Sequence, residues 1–255
     1  MSEIKIDQLS ISYADGTQAL EKVDLLIPNH SRTAIVGPNG AGKTSLFQAL
    51  SGLIDFEGDI LFNDTQMSPS SAESLRKTMS YVFQNPDEML FMPTVIEDVC
   101  FGLETLGIDD QSIHQRGTAA LERVALNGFE HRSAHHLSYG ERRRVCLAIA
   151  LARESDLILF DEPTRELDPH GRRNFIDLFH TLDATTLLAT HDLELVLETC
   201  DDMVLLDGGK LISQGNPRVL LSDPQLMTAH RLEVPHSLMG HPHAHGSTGI
   251  ILDKS

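Results

Sequence analysis

Long apolar runs are missing from this sequence: no stretch approaches the roughly 18 apolar residues that a membrane-spanning helix requires, and the richest, Val145 to Ala152, covers only a short helix face. If transport is the task, the pore belongs to another chain. Positive charge is scarce as well. Lys plus Arg number 20 against 37 Asp plus Glu, a formal charge of -17, which is poor footing for a nucleic-acid binder that must neutralise phosphates over a broad face. A nucleotide held by one local loop is still permitted. Cysteine is sparse: Cys100, Cys146 and Cys200 stand alone without CxxC spacing, and the opening MSEIKIDQLS has no signal-peptide pattern. The expectation is a reducing compartment, the cytosol.

What is present is enough apolar residue, 41% of 255, to bury a core as one domain or as a core plus a subdomain. Ile4 to Tyr13 alternates apolar and polar side chains and Val23 to Ile27 is a second apolar run, which predicts a small antiparallel sheet at the N-terminus. Arg32 to Val36 reads as a buried strand that runs into glycines and then a helical segment, Lys43 to Leu50. Further strands are expected at Met79 to Phe83, Asp156 to Phe160 and Thr185 to Thr190, giving a parallel sheet with crossover helices and an α/β class. From about 84 to 155 strand signals vanish and helical periodicity takes over, at Val95 to Leu106, Ile113 to Leu126 and Glu141 to Ala152, so an inserted helical subdomain is expected. Met203 to Leu206 and Lys210 to Ser213 flank a Asp207-Gly208-Gly209 turn as a hairpin, and Pro217 to Leu221 reads as a short helix. The pattern then fades into a His-, Pro- and Gly-rich tail, 223–255, read as mobile.

Gly37-Pro38-Asn39-Gly40-Ala41-Gly42-Lys43-Thr44 fits GxxxxGK[ST] between a strand and a helix, with Ser45 following. In such a loop backbone N–H groups turn inward around phosphate oxygens and a helix N-terminus adds its dipole. Lys43 would reach the β- and γ-phosphates and Thr44 would bind Mg²⁺. Leu157 to Phe160 ends in Asp161-Glu162, two carboxylates at the edge where open α/β sheets hold ligands. Asp161 would hold the Mg²⁺ shell and Glu162 would polarise the attacking water, because phosphoryl transfer needs positioning and charge stabilisation. His191 follows the next strand in the same way, within reach of a γ-phosphate, and Gln84 closes a third. The cofactors implied are ATP and Mg²⁺.

Leu137-Ser138-Tyr139-Gly140-Glu141 opens a helix 95 residues after Lys43, and here the sequence resembles the signature motif of ATP-binding-cassette (ABC) ATPases. The order phosphate loop, Gln84, signature, Asp161-Glu162, Leu167-Asp168, His191 is similar to the family's throughout. The resemblance implies a P-loop NTPase core over 1–222, with the N-terminal β subdomain and the helical insertion, and head-to-tail pairing with a second ABC ATPase subunit, identical or a paralogue. It also implies that Tyr13 stacks on adenine, that Gln84 links the metal to a membrane partner, that Ser138 and Gly140 face the partner's γ-phosphate, and that Asp168 crosses the dimer. Two departures stand out: Tyr139 replaces the usual glycine, and Arg165-Glu166 replaces a small pair. A tyrosine at 139 is acceptable if its φ stays negative.

Val82-Phe83-Gln84-Asn85-Pro86-Asp87, followed by Leu90-Phe91, Pro93-Thr94-Val95 and Asp98 to Gly102, resembles the energy-coupling-factor (ECF) importers, especially their cobalt and nickel branch. That implies ECF-type transmembrane subunits as partners, a peripheral place on the cytoplasmic face of the membrane, and no nucleic acid. Phe- and Met-bearing sequence beside Gln84 could form a groove for a partner's helix. His241, His243 and His245 alternate with small residues, and neutral imidazole suits Ni²⁺ or Co²⁺. The expectation is nickel or cobalt import; the alternatives are ECF-driven vitamin uptake and a non-transport ABC ATPase acting on nucleic acid or ribosomes.

Overall fold

The computed structural model describes residues 3–239. Alternation in β1 (Ile4–Ser12) buries Ile4, Ile6, Leu9 and Ile11, and the strand pairs antiparallel with β2 (Gln18–Ile27). β3 (Arg32–Val36) leads through the glycine loop to α1 (Lys43–Leu50). β4 (Glu57–Phe62) joins the other edge of β1 and the two-residue β5 (Thr65–Gln66) completes a four-stranded sheet in the order β2-β1-β4-β5. The last two strands carry little periodic signal, because only Ile60 and Phe62 of β4 are buried and β5 is exposed.

After α2 (Ala72–Lys77) comes β6 (Met79–Val82), and then three helices, α3 (Val95–Phe101), α4 (Asp110–Arg123) and α5 (Tyr139–Ala152). These pack together around Val99, Leu103, Leu121 and Val145, in a core continuous with Phe160, Phe175 and Leu188 on one face of the larger sheet. The chain returns through β7 (Leu157–Asp161), α6 (Pro169–His180), β8 (Thr185–Ala189), α7 (Leu193–Thr199), β9 (Asp202–Asp207) and β10 (Lys210–Gly215). The second sheet runs β10-β9-β3-β8-β7-β6, parallel except for the β9–β10 hairpin. β7 and β8 are buried at every residue, as expected of parallel strands covered on both faces. The carboxyl ends of β3, β6, β7 and β8 share one edge, and the loops that leave them carry the chemistry.

The expectation of a mobile tail from 223 needs correction at its near end. α8 (Pro217–Leu221) is followed by α9 (Pro224–Ala229), capped by the Asp223 carboxylate, which buries Met227 against Val196, Met203, Leu205 and Leu221. Leu232, Val234 and Leu238 continue that packing. Their spacing follows neither a helical nor a strand period, so they show as apolar only once α7 and β9 lie beneath them. His241, His243 and His245 lie outside the described residues.

Candidate nucleotide site

The glycine loop is built by close approach. Gly42, the N-cap of α1, sits at φ 101°, and a Cβ there would stand 2.6 Å from the Ala19 carbonyl oxygen. A Cβ on Gly37 would lie 2.1 Å from the Leu206 carbonyl oxygen. Neither position tolerates a side chain, so the loop lies flat against β2 and β9. Lys43 Nζ donates to the Gly37 and Pro38 carbonyls at 2.7 and 3.1 Å. Burial pushes the Lys43 pKa down, and Glu162 and Asp161 act against that shift. An ammonium held so is short of solvation and well placed for phosphate oxygens.

Thr44 Oγ1 donates to Asp161 Oδ2 at 2.9 Å, and the Tyr81 hydroxyl donates to the same oxygen at 3.2 Å. Burial raises the Asp161 pKa, while the two hydroxyls pull it back. Among the described residues no group of three or more His, Cys, Asp or Glu is spaced to hold a metal ion. Magnesium is ordinarily held by one or two carboxylates together with substrate phosphates, and the hard oxygens of Thr44 and Asp161, with Gln84 lining the same cleft, suit that mode.

Glu162 stands next to Asp161 at φ 47°, a left-handed conformation that costs a non-glycine residue about 1–2 kcal/mol. Its N–H donates to the Ala189 carbonyl at 2.8 Å, and its Oε2 accepts from Thr190 Oγ1 at 3.3 Å and lies 2.8 Å from His191 Nδ1. The turn throws the carboxylate to the floor of the cleft, where its side chain is 11% exposed, and His191 covers it from the solvent side at 65%. The Tyr13 hydroxyl pairs with Ser45 Oγ at 2.8 Å and its ring remains 39% exposed beside Thr17 and Gln18. One cleft of about 790 Å³ thus collects Tyr13, Gly37 to Ser45, Gln84, Asp161, Glu162 and His191.

Ser138, Gly140 and Asp168 are not part of it. They line a second cleft, of about 910 Å³, with Arg143, Glu166 and Leu167. Ser138 is the N-cap of α5 in a capping box: Ser138 N–H and Oγ–H donate to Glu141 Oε2, both at 2.7 Å, and Ser138 Oγ accepts from the Glu141 amide at 3.3 Å. The Ser138 donors hold the Glu141 carboxyl below its usual range. Asp168 caps α6 by accepting from the Gly171 amide at 2.6 Å. Tyr139 is the first residue of α5 and does not take a positive φ, so the position makes no demand for glycine. The Arg165-Glu166 departure divides between the clefts: Arg165 lines the first, and Glu166, at φ 61°, the second.

Four residues escaped the sequence reading. Tyr81 holds Asp161, as above. Arg231 and Leu232 line the first cleft from the C-terminal segment, where Arg231 donates to Asp207 Oδ1 at 2.7 Å and His230 Nδ1 lies 3.0 Å from Oδ2. Arg143 is fully buried and donates to the main-chain carbonyls of Asp161, Glu162 and Pro163. The period did carry a signal for it, since Arg143, Cys146, Leu147 and Ala150 share the buried face of α5.

Comparison with known proteins agrees with this geometry. Residues 20–165 match the family model described as ABC transporter. A Streptomyces coelicolor protein provisionally named an ABC transporter ATP-binding protein is 40% identical over 235 residues, 92% of this chain and 90% of its own. The energy-coupling factor transporter ATP-binding protein EcfA of Methanothermobacter thermautotrophicus is 36% identical over 240 residues, 92% of this chain and 77% of its own. Among solved structures, cbiO1 of Clostridium perfringens, described as part of the ABC transporter complex cbiONQ, superposes with a TM-score of 0.77 at 33% identity, covering 92% of this chain and 96% of that one. With a phosphate loop, an acidic strand end and a separate Ser138 helix in this order and fold, the chain belongs to the ABC transporter family, as an ATP-binding and ATP-hydrolysing subunit of the ABC/ECF type.

Proposed function

We propose that two such subunits pair head to tail, each ATP lying between the first cleft of one and the second cleft of the other, and that the pair powers uptake of nickel or cobalt through separate ECF-type membrane subunits. The observation that carries the pairing is the division of the recognition groups: Lys43, Thr44, Asp161 and Glu162 in one cleft, Ser138, Gly140 and Asp168 in another. In this reading the Gly37 to Thr44 amides and Lys43 bind the phosphates, and Tyr13 offers its ring to adenine. Thr44, Asp161 and Gln84 would hold Mg²⁺, which when bound neutralises charge on the β- and γ-phosphates. Glu162 takes up the proton side of the attacking water, and His191, fixed against Glu162 Oε2, donates to the γ-phosphate. Binding of two ATPs and their loss on hydrolysis supplies the differential affinity that moves the membrane partners between two states.

Among the described residues no helix is long and apolar enough to cross a membrane. A groove of about 310 Å³ beside Gln84 supports a peripheral place on the cytoplasmic face, docked to a helix of a membrane subunit. Phe91 and Phe101, 62% and 45% exposed, meet edge to face at its rim with centroids 5.0 Å apart, and Leu53, Met79 and Met89 add apolar wall. Asp98 lines the same groove; its Oδ1 accepts from the Phe91 and Met92 amides, its Oδ2 is buried with no hydrogen-bond partner, and burial pushes its pKa up.

The choice of metal as cargo rests on the likeness to cbiO1 of a cbiONQ complex and on the imidazoles of His241, His243 and His245, which suit borderline divalent ions. The test is uptake of radioactive Ni²⁺ and Co²⁺ by cells that carry the membrane subunits with either the natural chain or its Glu162→Gln variant. Loss of uptake of one ion in the variant identifies the cargo. Uptake of both ions unchanged by the variant rejects a metal cargo and moves the reading to vitamin import.

A further inference from the structure

Arg142, Arg143 and Arg144 follow one another in the first turns of α5, and only Arg143 is fully buried. A guanidinium has five N–H donors and no acceptor, and here the five meet five main-chain carbonyls. Nε donates to Pro163 at 3.1 Å; one terminal nitrogen donates to Phe83 at 2.6 Å and Gln84 at 2.8 Å; the other donates to Asp161 at 3.2 Å and to Glu162. Two of these acceptors belong to the loop after β6, one is the last residue of β7, and two belong to the loop after β7. The arginine itself is on the helix whose N-cap is Ser138. Three segments far apart in sequence are thereby tied at one planar group, and one of them contains Glu162 in its left-handed conformation.

We infer that Arg143 is a positioning residue for ATP hydrolysis: it fixes the Gln84 and Glu162 loops of the first cleft to the helix that presents Ser138 in the second. The inference rests on the roles proposed above for Glu162, Gln84 and Ser138. None of Arg143's five hydrogen bonds goes to the phosphate loop, so it bears on the placement of the water-polarising carboxylate and of Gln84, and leaves nucleotide capture to Gly37 to Thr44. Because the same side chain belongs to α5, displacement of that helix by a phosphate bound at Ser138 is carried to both loops. A short side-chain lever of this kind couples what one cleft holds to whether the other can turn over.

The test compares Arg143→Met and Arg143→Lys in the full chain, assembled with its partners, by ATP turnover, ATP dissociation constant and melting temperature. Methionine keeps the stem and removes all donors; lysine keeps the charge and offers three donors without the planar fork. Turnover number is expected to fall by about 100-fold in Arg143→Met, the scale of a misplacement of about 1 Å at the reacting groups, with the ATP dissociation constant unchanged and Arg143→Lys intermediate. If Arg143→Met does not fold, Arg143→Lys carries the test through its loss of turnover at unchanged ATP affinity. Wild-type turnover in Arg143→Lys would overturn the inference, and so would turnover and ATP affinity falling together in step with melting temperature. Glu162→Gln is measured alongside. Undiminished turnover in Glu162→Gln would reject the assignment of that carboxylate, whereas undiminished turnover in Arg143→Lys beside an inactive Glu162→Gln would reject the positioning role alone.

Discussion

The two clefts use their polar groups in opposite ways. In the first, side chains are strung across elements to aim charge at a common point: Thr44 from α1 and Tyr81 from β6 on Asp161, Thr190 and His191 on Glu162, Lys43 over its own loop. In the second, Ser138 and Asp168 spend their oxygens on the caps of their own helices, α5 and α6. A cleft of the first kind holds reactive groups in place from several directions; a cleft of the second kind presents helix N-termini with Arg123, Arg143 and Arg144 along its wall. In the pairing proposed above, the first cleft would perform the chemistry and the second would meet a phosphate bound on the other subunit.

The sharpest way to break that contrast is Glu162→Gln, which is expected to lower ATP turnover by about 10²–10⁴-fold, the usual span for loss of a general base. ATP binding should persist, and light scattering should show a stable ATP-bound pair; a monomer would dismiss the sandwich. Lys43→Ala comes next. Removing a charged hydrogen-bond donor, worth about 1.5–3 kcal/mol, should weaken ATP binding by roughly 10–100-fold, read by calorimetry on the isolated subunit. Ser138→Ala should leave that monomer affinity untouched while slowing turnover of the pair, and loss of its cap should destabilise α5 by about 1 kcal/mol. Equal loss of monomer affinity in Lys43→Ala and Ser138→Ala would erase the distinction between the clefts.

The smallest effect belongs to Asp207. His230 first, and Arg231 with it, hold its carboxyl below the ordinary 3.8, so the stabilisation is present above 3.8 and disappears as pH falls through the lowered value. Asp207→Asn should therefore melt lower than the natural chain at neutral pH, by roughly 1 kcal/mol or less. The two melting temperatures should converge below pH 3.8. A gap that persists in acid would mean that Asp207 acts through packing.

Much of this was legible because its determinants are local. The glycine spacing before Lys43, the apolar runs that end in Asp161-Glu162 and Thr190-His191, and the Ser138–Glu141 capping box each declare themselves within eight residues. What escaped depends on partners far away in sequence. The helical period can place Arg143 on the buried face of α5, but the carbonyls it meets, among them Gln84 and Asp161 at 59 and 18 residues' distance, do not show in one dimension. Tyr81 is one residue in an apolar strand until Asp161 arrives beside it, 80 positions later. β4 and β5 bury too few side chains to show a period, and the segment after Ser222 has apolar residues whose purpose appears only against α7 and β9.

That last segment bears on how the protein can be handled. Because Arg231 and Leu232 line the first cleft while His230 and Arg231 clasp Asp207, a chain shortened where the sequence pattern fades would lose one side of that cleft along with the Met227 anchor. An enzyme preparation clipped near Pro224 should be suspected whenever ATP affinity and thermal stability decline together.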